Sequence, residues 1–290
     1  YLALRQQWEP VAEVTQFKGD SATHPRFSPR DSFADFERSG FYIQAYATLY
    51  EPQPGDFVRT ALKRGLEIAS ELGSNPYRLG MIGSTDSHTG LASAEESNFH
   101  GKLARDSTPD NKLAGIGGDG SASGWDMSAS GLAAVWATNN TREAILQAFA
   151  RREVYATTGP RIQVKLEAAW LGNEQATWPA KSVPMGAMLP QLHSPGVSPT
   201  FRIVAMKDPV GANLDRIKIV KGWLDANGTS KEQVFDVAWS EPRELRAAAQ
   251  PEPVGTTIDI SRATYANSIG TPQLHAQWQD AQFSPEQAAF

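Results

Sequence analysis

Leu79-Gly80-Met81-Ile82-Gly83-Ser84-Thr85-Asp86-Ser87-His88-Thr89-Gly90 is an apolar run that closes on an Asp-x-His pair. Its apolar part reads as a buried strand. Residues two apart on a strand share a face, so Asp86 and His88 are expected to project together from its end. A carboxylate beside an imidazole suits zinc, manganese or iron with a position left open for water, and hydrolysis is the chemistry such a site performs. The competing reading is a capping Asp followed by an exposed His.

Upstream, Asn75-Pro76 breaks a helical pattern. Phe57 to Leu72 places Val58, Ala61, Leu62, Leu66, Ile68, Ala69 and Leu72 near helical spacing, with Gly73 as a C-terminal cap. Val11 to Gln16 alternates apolar and polar residues, which predicts a short strand with Glu13 on the face opposite Val14. Lys18 to Pro25 follows it as a polar loop. The order strand, loop, helix, strand predicts a parallel α/β arrangement, in which active groups gather at the C-terminal strand ends.

Downstream, Leu91 to Gly131 is rich in Gly, Ser, Ala and Asp, and centres on Gly115 to Gly124. It lacks the Gly-Lys-Ser/Thr ending of a phosphate-binding loop, so it reads as a lid or a linker. Leu132 to Ala137 predicts a strand, Asn140 to Arg152 a helix, and Val154 to Thr158 another strand. Beyond Gly159-Pro160 the texture changes to strand-like runs: Ile162 to Ala168, Phe201 to Met206, Arg216 to Val220, Val234 to Trp239 and Thr256 to Ile260. Two regions are therefore expected, 1–159 as α/β and 160–290 as a β-rich, sandwich-like region. Asn227-Gly228 within Lys221 to Gly228 reads as a type I′ hairpin corner.

The chain has 290 residues, 40% hydrophobic and 20% charged, which is enough to bury a sizeable core. Its net charge is −5 and its basic residues do not cluster, so no nucleic-acid footprint exists and a small-molecule substrate is the expected partner. It has no cysteine, which excludes disulfides, thiolate metal sites and a cysteine nucleophile. No apolar stretch approaches the roughly 20 residues that span a bilayer, so a soluble polypeptide is expected. The chain starts without an initiator Met, which suggests a piece of something longer whose targeting signal lies in the missing part. Compartment and oligomeric state are not encoded legibly.

Of five histidines, His24, His88 and His100 fall in the first region, whereas His193 and His275 fall in the β-rich half and are expected to do nothing chemical. Glu13 is the best third ligand, because its strand precedes the Asp86 strand by one helical crossover. Serine catalysis is disfavoured: the first region has no Gly-x-Ser-x-Gly elbow, and adjacent positions of Gly83 to His88 cannot form a relay.

Several ordered blocks carry a family resemblance. They are Glu13-Val-Thr-Gln-Phe-Lys18-Gly-Asp20-Ser, Asn75-Pro-Tyr-Arg-Leu-Gly80, Gly83-Ser-Thr-Asp86-Ser-His88, Glu96-Ser-Asn98-Phe-His-Gly-Lys102, Ser128-Ala-Ser-Gly-Leu132, Asn140-Thr-Arg-Glu-Ala-Ile145 and Tyr155-Ala-Thr-Thr-Gly-Pro-Arg161. Together with Leu214 to Ile217, Lys221 to Trp223 and Asn267 to Gly270, they resemble a family of PHP-like metal-dependent hydrolases. Much of that family is known only as a domain of unknown function, and it includes carbaryl-hydrolase-like enzymes. The resemblance covers nearly the whole chain.

The resemblance implies a distorted (β/α)7-type barrel, here partial, with two or three divalent metal ions (Zn, Mn or Fe) at its C-terminal strand ends in the complete protein. Asp86 and His88 match the closing Asp-x-His ligand motif, and Glu13 matches a bridging carboxylate. The segment after Glu13 is where further ligands are expected; it offers Asp20 and His24, and the resemblance does not choose between them. Lys18 and Arg161 are candidates to steady developing negative charge, against a bland reading as surface ion pairs. The His-x-His motif that opens such proteins is absent here, which fits a chain missing its N-terminal part, whose site would then bind metal weakly or be inactive. The expected function is metal-dependent hydrolysis of an ester-type bond (phosphoester, carboxylic ester or carbamate). The alternative is a non-catalytic ligand- or partner-binding module on a hydrolase-like scaffold.

Overall fold

The structure is a computed structural model, and it describes residues 1–36, 38–42, 48–91, 102–104, 108–111, 123, 127, 130–172, 178–179, 181–192, 197–245 and 250–290. The chain divides into two compact units, Tyr1–Gly159 and Pro160–Phe290. Among the described residues it is a mixed α/β protein, mostly strands with three helices, and its sheets do not close into a barrel. No helix among them is long and apolar enough to cross a membrane.

The first unit starts with α1 (Leu2–Trp8), a short helix whose sequence lacks a side-chain cap and gave no periodic signal. Then come β1 (Val11–Gln16), β2 (Gly19–Asp20), β3 (Phe41–Tyr42), β4 (Thr48–Leu49), α2 (Val58–Leu72), β5 (Gly80–Gly83), β6 (Gly131–Val135), α3 (Arg142–Arg151) and β7 (Val154–Thr158). The β1–α2–β5 crossover is the expected one, and β1 pairs parallel with β5 from Val11 opposite Gly80 to Glu13 opposite Ile82. Parallel pairing stops there. β2 turns back antiparallel on β1, and β7 returns antiparallel to β6 despite the helix between them.

Phe57 precedes α2 and has no side chain able to cap it. The orphan N–H groups of Val58 and Arg59 donate instead to the carbonyls of Ser21 and Ala22, at 2.9 and 3.0 Å. That ties the polar loop after β2 to the start of the helix. At the other end Gly73, at φ 73°, closes α2 with its N–H on the Ala69 carbonyl. α3 is capped by Thr141, whose hydroxyl accepts from the Ala144 N–H at 3.3 Å.

The alternation expected of β1 holds for Glu13, exposed, and Val14, buried, and then fails, because Thr15 is buried too. The register against β5 slips between Glu13 and Thr15, a bulge that puts two consecutive side chains on the inside. Just beyond it the strands cross at glycines. The Ser84 N–H donates to the Thr15 carbonyl at 3.0 Å, and the Gly131 N–H donates to the Ser84 carbonyl at 2.9 Å. A Cβ on Gly131 would lie 2.5 Å from the Thr15 oxygen, so the approach requires glycine.

The second unit holds β8 (Gln163–Gly172), β9 (Val183–Pro184), β10 (Val197–Met206), β11 (Arg216–Leu224), β12 (Ser230–Trp239), β13 (Ile258–Asp259), β14 (Thr264–Tyr265) and β15 (Gln273–Gln279). An antiparallel sheet of order β15-β10-β8-β9 and the β11–β12 hairpin share one core of Ile203, Ala205, Leu214, Ile217, Leu274 and Ala276. The inward residues of β15 alternate with an exposed face that carries His275.

Two details differ from the sequence reading. The β11–β12 corner is not a type I′ turn: Gly228 alone is left-handed, at φ 73°, and the Asp225 carboxylate accepts from the N–H groups of Asn227 and Thr229 at 2.9 and 3.0 Å. A carboxylate at the turn's start favours the wider three-residue loop with a glycine bulge. The strand expected over Thr256 to Ile260 shrinks to β13, with Ile260 almost fully exposed. The glycine-rich stretch around Gly115, together with His100 and His193, lies outside the described residues.

Candidate metal centre

The strand β5 ends at Gly83, so the pleat does not bring Asp86 and His88 together. A turn does. Asp86 adopts φ 50°, a left-handed conformation that Asp tolerates better than most residues, and this curls the chain so that His88 Nε2 lies 3.0 Å from Asp86 Oδ1. The far side of the turn is fastened by the His88 N–H, which donates to the Lys102 carbonyl at 2.7 Å.

Two ammonium groups converge on the same carboxylate. Lys18, at the end of the β1 hairpin, forms an ion pair with Asp86 Oδ2. Lys102 Nζ lies 2.5 Å from Oδ2, 2.9 Å from the Asp86 carbonyl oxygen and 3.0 Å from His88 Nε2. The Lys102 side chain is 9% exposed and packs over the ring of the fully buried Phe17, with Nζ 4.9 Å from the ring centre. Asp86 is 20% exposed and His88 54%, so the cluster opens to solvent on the imidazole side.

Burial alone would raise the Asp86 pKa, but the hydrogen bonds from Lys102, Lys18 and His88 outweigh it and hold the carboxyl at about 2. Burial lowers the pKa of Lys102; Asp86 opposes this, and Lys18 beside it adds to it.

The other expected site residues have partners of their own. Glu13 accepts from the Ser84 hydroxyl at 2.5 Å and from the Gln16 amide at 2.9 Å, two residues short of Asp86 along the chain. Asp20 Oδ1 accepts from the Ala22 N–H at 2.5 Å. Burial raises its carboxyl to about 6, with the Ala22 N–H and then Arg59 and Arg38 acting against the rise. His24 stacks on Phe57 and Phe27, at 5.5 and 6.0 Å between ring centres. Its Nδ1 faces the Arg26 N–H at 3.0 Å and its Nε2 the Arg38 guanidinium at 2.5 Å; a neutral imidazole accepts only one of these at a time. Burial and then Arg38 lower the His24 pKa. Arg161 belongs to the second unit, where its backbone N–H donates to Asp208 Oδ2 at 2.7 Å.

The structure thus joins Asp86, His88 and Lys18, and adds Lys102, which sequence reasoning did not place in the site. The available signal was its position at the end of the Glu96 to Lys102 block. Among the described residues no group of three or more His, Asp or Glu side chains gathers that could hold a metal ion. What gathers is one carboxylate, one imidazole and one carbonyl around the Lys102 ammonium, which stands where a cation would be held. A donor set of oxygen and imidazole nitrogen fits a borderline divalent ion such as zinc or manganese.

No curated protein and no solved structure matches the chain. A family model matches it from end to end, over residues 1–290, and the chain belongs to the family described as Protein of unknown function (DUF3604).

Proposed function

We propose that the chain is part of a PHP-like metal-dependent hydrolase, with a partial distorted (β/α)7 barrel in the first unit, and that it acts on an ester-type bond. The observation that carries the reading is the meeting of Asp86 and His88 at 3.0 Å just past the C-terminal end of β5, whose parallel neighbour β1 presents Glu13. Active groups of α/β barrels lie at such ends.

Asp86 and His88 are the residues that would hold a divalent ion, with Glu13, Asp20 and His24 as the further candidates. Such an ion, when bound, supplies hydroxide near neutral pH and polarises the scissile carbonyl or phosphoryl oxygen. Asp86, held at about 2, is ionised and ready to ligate throughout the physiological range. Lys18, already at the carboxylate, is placed to carry negative charge that develops on a substrate oxygen. Arg161 is the second candidate for that role.

Elemental analysis of the purified chain beside an Asp86→Ala, His88→Ala double variant tests the reading. The parent is expected to retain transition metal and to hydrolyse members of an aryl ester, carbamate and phosphoester panel, and the variant to lose both. A metal-free parent that the variant matches in every assay would leave a non-catalytic binding module in its place.

A further inference from the structure

The three hydrogens of the Lys102 ammonium are spoken for by three lone-pair atoms of the candidate centre: Asp86 Oδ2 at 2.5 Å, the Asp86 carbonyl oxygen at 2.9 Å and His88 Nε2 at 3.0 Å. An ammonium only donates, so its bond to Nε2 requires that nitrogen to be unprotonated. An unprotonated Nε2 then points its lone pair at a site it shares with a carboxylate oxygen 3.0 Å away. Two electron-rich groups converge in that way only around a positive charge. Here the charge is a side chain of the same protein.

We infer that Lys102 is an internal cation that occupies the Asp86–His88 centre and must leave before a divalent ion binds there. The inference rests on the metallohydrolase reading of the site and names a control built into it. A divalent ion sits about 2.0–2.2 Å from oxygen and nitrogen ligands, which puts it in the volume that Nζ fills. Both charges cannot share it. Lys102 is well placed for the part, because its stem lies against the buried Phe17 while its head reaches the centre, and because the Lys102 carbonyl clamps the His88 N–H independently of where the side chain goes. The head can therefore withdraw without dismantling the turn. Lys18 stays as the remaining cation on the carboxylate.

The test is calorimetric titration of the full chain with Zn2+ and with Mn2+, for the parent, Lys102→Met, Lys102→Arg and Asp86→Ala. Lys102→Met keeps the apolar stem and removes the charge, and it is expected to bind metal about tenfold more tightly than the parent, the scale of losing one charged competitor. Lys102→Arg keeps a cation and is expected to bind no more tightly than the parent. Asp86→Ala should lose the binding. A residue that merely supported the fold would move the affinity of Lys102→Met the other way. Acetylation of the parent, read at Lys102 by peptide mass spectrometry, supplies a second readout that needs no variant: saturating metal is expected to raise the labelling rate severalfold as the amine is expelled. Equal or weaker affinity in Lys102→Met, or a labelling rate that metal leaves unchanged, overturns the inference while metal binding through Asp86 leaves the hydrolase reading standing. Absence of any Asp86-dependent binding in the parent and in Lys102→Met removes both.

Discussion

Asp20 is the residue that makes stability depend on pH. Its carboxyl titrates at about 6 in the folded chain against an ordinary 3.8, because burial outweighs the Ala22 N–H and the nearby Arg59 and Arg38. Between those two values the folded state holds a proton that the unfolded chain has released, so stability falls as pH rises through the window and stays lower above it. The ceiling on that loss is about 3 kcal/mol, at about 1.4 kcal/mol for each pH unit between the two values, and partial exposure brings it lower. Asp20→Asn keeps an oxygen toward Ala22 and cannot ionise. Urea titrations with chelator present are expected to show it gaining on the parent between pH 4 and pH 7; parallel stability profiles would mean that the carboxyl is not raised. At this scale the sequence was legible in part. Asp86 and His88 could be paired because they are two residues apart, although a left-handed turn achieves it and not a pleat. Lys102 could not, since it lies 16 residues from Asp86 with no periodicity to link them. What joins them is a single backbone bond closing a long loop.

At the scale of elements, the candidate centre is seated on the backbone crossing beneath it. β1, β5 and β6 meet where Gly83 and Gly131 leave room, and the segment that carries Asp86 starts from that crossing. A methyl on Gly131 would meet the Thr15 oxygen at 2.5 Å and the Ser84 oxygen at 2.8 Å, backbone atoms that cannot rotate away. Gly131→Ala is therefore expected to lose about 3 kcal/mol, the upper end of the overpacking range. Gly80→Ala is the control, because its methyl would meet side-chain atoms of Val154, Arg152 and Val11, and a loss of about 1 kcal/mol is expected as they yield. Chemical denaturation of both variants decides it, and equal losses would mean that the crossing is no tighter than ordinary packing. Element positions were the most legible layer. β1 and β7 lie over Val11–Gln16 and Val154–Thr158 as their β-branched runs predict, and α2 ends at Gly73 as its cap predicts. Pairing direction was less legible. A helix between two strands predicted parallel partners, which holds for β1 and β5 but not for β6 and β7. The bulge after Glu13 left no mark in an otherwise regular alternation, because a slip of register depends on the partner strand.

At the scale of the whole chain, the second unit supplies its own core. Ile203, Ala205, Leu214, Ile217, Leu274 and Ala276 all come from Pro160–Phe290, and the C-terminus is pinned back on β11 by paired bonds between Gly222 and Phe290 at 3.0 and 2.8 Å. Beside that pairing lies the Lys221–Asp280 ion pair at 2.6 Å, with both side chains under a tenth exposed. Lys221 also donates to the Gln282 carbonyl at 3.2 Å and lies 5.3 Å over the Trp223 ring. A polypeptide of residues 160–290 is accordingly expected to fold alone, with a β-type far-ultraviolet spectrum and one cooperative thermal transition. Within it, Lys221→Met strands the Asp280 carboxylate in a nearly dry site, and the expected loss is about 3–5 kcal/mol. Replacing both partners, Lys221→Met with Asp280→Leu, removes the stranded charge and is expected to recover most of that loss, since a buried pair contributes little beyond what apolar packing gives. A fragment with no transition would place the boundary read near Gly159 somewhere else. A folded fragment in which the single and double replacements are equally damaging would mean that Lys221 and Asp280 are held by their other contacts, Gln282 and Trp223, and not by each other.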